Sequence, residues 1–380
     1  MILFIGHDAS LTGAPKSLLL IIEFIKSKYS GPIEIILGNS GPLLDDYQKL
    51  GRVHVWNKKW YWEQNILKRI KNRFIDSNFR RQKSITNYFL NNTPKLIFNN
   101  TIVNGQILSK LAFLNIKTIS RIPEMQTVMQ LYETQFDNSS SKVLKNTNLF
   151  ISPSNAAKNN LVNNFSVDPD KVHVCYGHVK KPEVVKGKEL SILRDKLKLP
   201  KSAFIVGGCG TLGWRKGSDL FLQVASYLKN NQDIYFMWLG VDEKNGSYHE
   251  FVYEAEKFGV LEKTLLIPYD LKINKYYQLM NVFLMTSRED PFPLVNLEAA
   301  SFGVPIICFD KSGGSNELVD ENSGFIVPYG DSKEMSEKVK ELKSNNALRK
   351  KLSEGILKKN NQFNNDIEIK KMFNIISEYI

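Results

Sequence analysis

The sequence predicts an α/β protein made of two doubly wound parallel sheets, and three observations carry that expectation. The chain has 380 residues, and at about 100–200 residues per domain two domains are the natural division. Short β-branched or aromatic runs recur along its whole length, and most are continuously apolar, as suits strands covered on both faces of a parallel sheet. Helical patterns fall between them, and that alternation is the signature of βαβ units.

In order, the first half offers strands at 2–6, 33–38, 95–99, 118–122, 149–152 and 172–176. The second half offers 204–208, 235–240, 264–268, 282–286, 305–309 and 324–327. Leu220, Phe221, Val224, Ala225 and Leu228 form one apolar stripe at helical spacing. A Lys-rich stretch, 180–200, carries Pro182 and Pro200, and its start is the expected linker. The expected domains are therefore 1–178 and 179–360, followed by a segment 361–380. Within that segment Ile369, Met372, Phe373, Ile376 and Ile380 share one helical face, which must be buried on one domain or the other.

Composition narrows the function classes. Apolar residues make up 42% and charged residues 24%, which excludes wholesale disorder. Cys175, Cys209 and Cys308 lie far apart with no CxxC or Cys/His cluster. They read as small buried hydrophobes in a reducing, cytoplasmic setting. The N-terminal run 1–6 is too short for a signal peptide and has no basic flank. The greasiest stretch, 18–25, is interrupted by Glu23, so no membrane-spanning helix is expected.

The formal charge of +12 is uneven. Residues 1–178 carry 22 Lys/Arg against 12 Asp/Glu (+10), and residues 179–380 carry 29 against 27 (+2). An anionic partner for the first half follows. The excess concentrates in 58–83, with nine Lys/Arg against two acids, beside Trp56, Trp60, Tyr61 and Trp62. Trp62, Ile66, Ile70 and Phe74 follow i, i+4 spacing. Two readings stay open: a helix lying on an anionic membrane surface through 56–83, or an ordinary helix with a solvated basic face. Nucleic acid is not expected, because no binding motif accompanies the charge.

Four motifs carry chemistry. After the first strand comes His7-Asp-Ala-Ser-Leu-Thr-Gly13-Ala-Pro15 and then an apolar helix, a place where backbone approaches a ligand closely. A plain strand–helix turn is the alternative. After the strand at 204 comes Gly208-Cys-Gly210-Thr-Leu-Gly-Trp-Arg215-Lys216-Gly217, with a helix beginning near Ser218. Two cations oppose the dipole there, and a bound diphosphate would reverse that cost. A solvated basic turn is the alternative. Asp290-Pro-Phe292-Pro-Leu294-Val295-Asn-Leu-Glu298 follows another strand. Prolines open its helix, leaving the Leu294 and Val295 amides for a phosphate. Glu298 among apolar neighbours needs a partner, either ribose hydroxyls or a buried salt bridge. Last, Gly313-Gly314 precedes Glu317 early in a helix, which a simple cap explains equally well.

In this order the motifs resemble glycosyltransferase family four, retaining enzymes of the GT-B architecture. The resemblance covers nearly the whole chain and is sharpest over 204–328. It implies two Rossmann-like domains facing across a cleft, an acceptor-binding one first and a nucleotide-sugar-binding one second, with the last helix crossing back to the first. It implies a hexosyltransferase that moves a sugar from a nucleoside diphosphate sugar to a hydroxyl of a glycan or lipid-linked acceptor, as in surface polysaccharide assembly. Attack comes on the same face and needs no metal or other cofactor. Arg215, Lys216 and Asp290 are the implied catalytic group, with Asp290 at the first acidic position of an E-x7-E pattern. Gly13, Gly210, Phe292, Leu294, Val295 and Glu298 are the implied donor-binding residues, Glu298 on the ribose.

Three departures stand out. Asp290 is one methylene shorter than the usual Glu. Gly210 stands where the family frequently has arginine, a role Arg215 could take. Pro123 in Arg121-Ile-Pro-Glu124 replaces a usual His, which leaves Glu124 and, speculatively, His7 for the acceptor side; a satisfied loop histidine is the blander reading of His7. A sugar-nucleotide epimerase or phosphorylase on the same architecture, or a catalytically silent partner subunit, are the competing expectations; no lysine stands out as the pyridoxal phosphate anchor a phosphorylase needs.

Overall fold

The structure, a computed structural model, describes residues 1–57, 67–177, 179, 183–269, 273–363 and 365–380. It divides into two compact units, Met1–Cys175 with Asp366–Ile380, and Tyr176–Asn365.

Unit 1 holds a seven-stranded sheet. Its strands are β1 (Ile2–Gly6), β2 (Ile33–Leu37), β3 (Arg52–Val55), β4 (Leu96–Asn100), β5 (Thr118–Arg121), β6 (Leu149–Ser152) and β7 (Val172–Val174). All pairs are parallel and the spatial order is β3-β2-β1-β4-β5-β6-β7. β1 sits between β2 and β4, with Ile2 opposite both Ile33 and Leu96, and all five of its residues are buried. One face packs Ile2, Phe4, Leu18, Ile22 and Phe98. The other packs Leu3, Ile5, Trp56, Phe89 and Ile97. The helix Asn365–Ser377 belongs to this unit and buries Ile369, Met372 and Ile376.

β3 has no counterpart in the sequence reading. Arg52-Val-His-Val alternates polar and apolar, because β3 is an edge strand whose residues are only partly covered. Its His54 Nε2 meets Glu34 Oε2 of β2 at 2.6 Å. Trp56 also differs from expectation: it is a buried core residue, not part of an aromatic surface cluster. The helix Leu67–Asn91 follows; it buries Ile85 and Phe89, and Arg81 Nε donates to the Val55 carbonyl at 2.6 Å. Trp60, Tyr61, Trp62 and Ile66, and the side chains of Ile70 and Phe74, lie outside the described residues, so most of the expected membrane-facing pattern does too. Among the described residues no helix is long and apolar enough to cross a membrane.

Unit 2 repeats the plan with six strands. They are β8 (Phe204–Cys209), β9 (Ile234–Val241), β10 (Thr264–Pro268), β11 (Val282–Met285), β12 (Ile306–Phe309) and β13 (Gly324–Val327), ordered β10-β9-β8-β11-β12-β13. The predicted stripe is buried on the helix Ser218–Leu228. There Phe221 meets the Trp238 ring edge-on at 5.1 Å. Burying each large apolar side chain contributes about 1.5–3 kcal/mol, so this helix is held by packing rather than propensity. In both units the strand order reverses beside the first strand, between β1 and β4 and between β8 and β11. Ligands of doubly wound sheets bind outside the carboxyl ends of strands at such points.

Candidate active site

At the carboxyl end of β8 the chain turns through Gly210 and the short 3-10 turn Trp214–Lys216 into the helix Ser218–Leu228. Gly217 sits at φ +63, and a Cβ there would come 2.0 Å from the Thr286 carbonyl. Glycine is therefore required where the turn touches the end of β11. Gly210, at φ +143, likewise lies in a region L side chains rarely adopt. The Lys216 stem lies against it, within 3.1 Å of where a Cβ would be. The glycine at the position of the family arginine is thus imposed by local backbone.

Asp290, 5% exposed, gathers the cations. Lys216 Nζ donates to Asp290 Oδ2 at 2.5 Å. Arg215 Nη1 lies 3.7 Å from the same oxygen and donates to the Glu289 carbonyl at 3.3 Å. The three implied catalytic residues therefore form one cluster, two cations on one carboxylate. Arg288 braces the turn from behind. Its guanidinium donates to both Asp219 oxygens at 2.8 and 2.6 Å and to the Trp214 carbonyl at 2.8 Å. Its amide donates to the Arg215 carbonyl at 2.9 Å. Burial pushes the Asp219 carboxyl up, but Arg288's bonds and charge outweigh that and hold it below the usual range; the same bonds raise Arg288. This corrects one argument drawn from sequence. The cations at the helix start do not need a ligand to offset the dipole, because Asp219 in the first turn and Asp290 beside it already do.

The helix Leu294–Ala300 begins after Pro293. Leu294 and Val295 are its first residues, so their amides have no acceptor within the helix. The ring of Phe292, for which a donor contact is implied, is buried against Tyr176 and Phe363, each at 5.3 Å. Glu298, partly exposed, receives the Tyr277 hydroxyl on Oε2 at 2.7 Å. A tyrosine holds this carboxylate where sequence reasoning offers ribose or a salt bridge. Sequence reasoning misses Tyr277, whose neighbours Asn274, Lys275, Tyr276 and Gln278 give no sign that its ring is buried. Glu317 sits within the one-turn helix Ser315–Leu318.

In unit 1, β1 leads through His7 to the helix Gly13–Lys26. Gly13 is its first residue, with open space where a Cβ would point. The Ala14 carbonyl accepts from Asn100 Nδ2 at 3.2 Å, and Arg121 Nη1 donates to Asn100 Oδ1 at 3.1 Å. Burial pulls the Arg121 guanidinium down, opposed by the Glu124 charge. Glu124 itself accepts the Ile102 amide at 3.3 Å, beside Thr101 with its φ of 92. A β-branched residue there is strained, and such strain collects at functional sites. His7 Nε2 lies 3.5 Å from Asp8 Oδ1, while its Nδ1 is buried with no hydrogen-bond partner among the described residues. The expectation of a satisfied loop histidine fails at that nitrogen. Burial pulls its pKa down, against the charge of Asp8. Gly13, Glu124 and His7 thus belong to unit 1, and the remaining candidates to unit 2.

Known proteins share parts of this sequence and its fold. Residues 191–359 match the family model "Glycosyl transferases group 1". The amylovoran biosynthesis glycosyltransferase AmsD of Erwinia amylovora is 22% identical over 57% of this chain and 68% of its own. The lipopolysaccharide core biosynthesis glycosyltransferase LpsE of Rhizobium meliloti is 24% identical over 44% of this chain and 48% of its own, so the match spans about half of that relative. Among solved structures, Anabaena Alr3699/HepE in complex with UDP-glucose superposes with a TM-score of 0.83 at 15% identity, covering 99% of both chains. Residues 191–359 of the second unit are therefore similar to glycosyl transferases group 1, within a chain whose two parallel-sheet units have the GT-B fold.

Proposed function

We propose that the protein is a retaining hexosyltransferase that moves a sugar from a nucleoside diphosphate sugar to a hydroxyl of a glycan or lipid-linked acceptor in surface polysaccharide or lipopolysaccharide assembly. The observation that carries this reading is the Arg215–Lys216–Asp290 cluster at the β8/β11 switch point. As the bond between sugar and diphosphate breaks, negative charge grows on the leaving phosphate. Arg215 and Lys216 leave Asp290 for that phosphate, assisted by the Leu294 and Val295 amides. Asp290, freed, accepts from hydroxyls of the transferred sugar, and Glu298 takes the ribose. Two cations supply the positive charge, so in this reading no metal is required. Glu124 and His7 serve the acceptor side. Two things support the donor class: HepE was solved with UDP-glucose, and the related AmsD and LpsE are polysaccharide and lipopolysaccharide glycosyltransferases.

The test is turnover of a panel of UDP-, GDP-, ADP- and CMP-sugars, followed by nucleotide release. One donor is consumed by the wild type, and Lys216→Ala lowers its turnover about 10²–10³-fold, the loss expected for one electrostatic donor. The anomeric configuration of the product, read by NMR, decides retention. The basic region 56–83 would bring the enzyme to an anionic membrane surface on the cytoplasmic side. Failure to cosediment with anionic liposomes at low salt would remove that part of the reading.

A further inference from the structure

We propose that Tyr277 is a positioning residue that holds the Glu298 carboxylate toward a nucleotide ribose. The inference rests on the donor-site reading above and assigns a residue which that reading leaves unused.

Tyr277 ends the short helix Asn274–Tyr277 and is fully buried. Its ring cannot swing: it stacks on Phe302 (6.5 Å, 15° between planes) and lies 6.0 Å from Phe283. The hydroxyl is therefore delivered to one place, Glu298 Oε2 at 2.7 Å. Cys209, the last residue of β8, lies in the same core cluster. Burial pushes Tyr277 well above its usual value, so it keeps its proton and gives it to the carboxylate in a hydrogen bond.

The next residue after Cys209 is Gly210. Its carbonyl accepts from Trp238 Nε1 at 2.8 Å, and the Lys216 stem lies 3.1 Å from where its Cβ would be. The charges of Glu298 and Lys216 both act on Cys209, so the carboxylate that would read the ribose and a cation that would take the phosphates lie around one strand end. A carboxylate fixed this way accepts from ribose hydroxyls without first paying to be ordered.

The experiment is calorimetric titration of wild type, Tyr277→Phe and Glu298→Gln with UDP, GDP and ADP. The tightest binder is then compared with its 2′,3′-dideoxy counterpart. Wild type prefers the hydroxylated nucleotide. Tyr277→Phe shrinks that preference about tenfold, the worth of a hydrogen bond to a charged group, and leaves the dideoxy affinity within about twofold. A merely structural tyrosine would weaken both nucleotides equally, and that result overturns the proposal. So does a preference that survives in Tyr277→Phe but collapses in Glu298→Gln. If Glu298→Gln itself keeps the preference, or no diphosphate binds the wild type, the donor-site reading fails and takes this inference with it.

Discussion

At the switch point of unit 2 the side chains leaving the strand ends are ions: Lys216 and Arg215 on Asp290, Arg288 on Asp219. At the matching point of unit 1 they are mostly amides. Asn104 Nδ2 donates to Asn99 Oδ1 and to the Asn100 and Ile5 carbonyls, and Asn99 Nδ2 donates to Ser120 Oγ and the Thr101 carbonyl. All of these side chains are buried. The difference teaches what each end is built for. A cation held by a carboxylate can be handed to an incoming polyanion, because one negative charge replaces another beside it. A closed amide network gains nothing from opening, since every group it releases stays buried and unpaired. Unit 1 therefore presents a closed frame at this end.

Mutations should break the two ends in different ways. The largest stability effect is expected from Gly217→Ala, which forces a Cβ into the Thr286 carbonyl at positive φ. A loss of about 2 kcal/mol or more should appear in denaturant unfolding. An unchanged midpoint would mean the turn shifts freely and is no fixed platform. Next comes Asn104→Leu in unit 1, which strips donors from Asn99 Oδ1 and two carbonyls. It should cost about 1–3 kcal/mol, with no dependence on salt. A strong salt dependence would contradict the contrast between amides and ions.

The smallest effect is a pH dependence at His7. Its folded pKa is lowered by burial, so the unfolded chain takes up the proton first as pH falls below about 6.5. Stability held at neutral pH is lost on acidification through that window. His7→Gln should therefore flatten the acid arm of the melting profile between pH 6.5 and the lower folded value. An arm of unaltered slope would show that His7 is hydrated and unperturbed.

The same contrast explains what is legible in the sequence. Strands buried on both faces stand out as continuous apolar runs, and every strand but β3 is expected at its place; β3 escapes because Arg52-Val-His-Val, only partly covered, forms no apolar run. Arg215, Lys216 and Asp290 can be grouped through the family resemblance of the motifs that carry them. Their pairing with one another cannot, because Lys216 and Asp290 lie 74 positions apart. Tyr277 hides because, set among Asn274, Lys275, Tyr276 and Gln278, it looks like a surface tyrosine until its ring is placed in the core. The Phe292 ring likewise serves the core, which its motif does not show. Unit 1's amides carry no motif at all, for asparagines near strand ends are also ordinary turn residues.

The central claim is that Arg215 and Lys216 exchange Asp290 for a nucleoside diphosphate. The most direct measurement is calorimetric binding of UDP, GDP and ADP, with the matching nucleosides, to wild type and to Arg215→Ala/Lys216→Ala. At least one diphosphate should bind the wild type, and the double variant should weaken it about 100-fold or more while leaving the nucleoside unchanged. Equal diphosphate affinity in the two proteins would contradict the account.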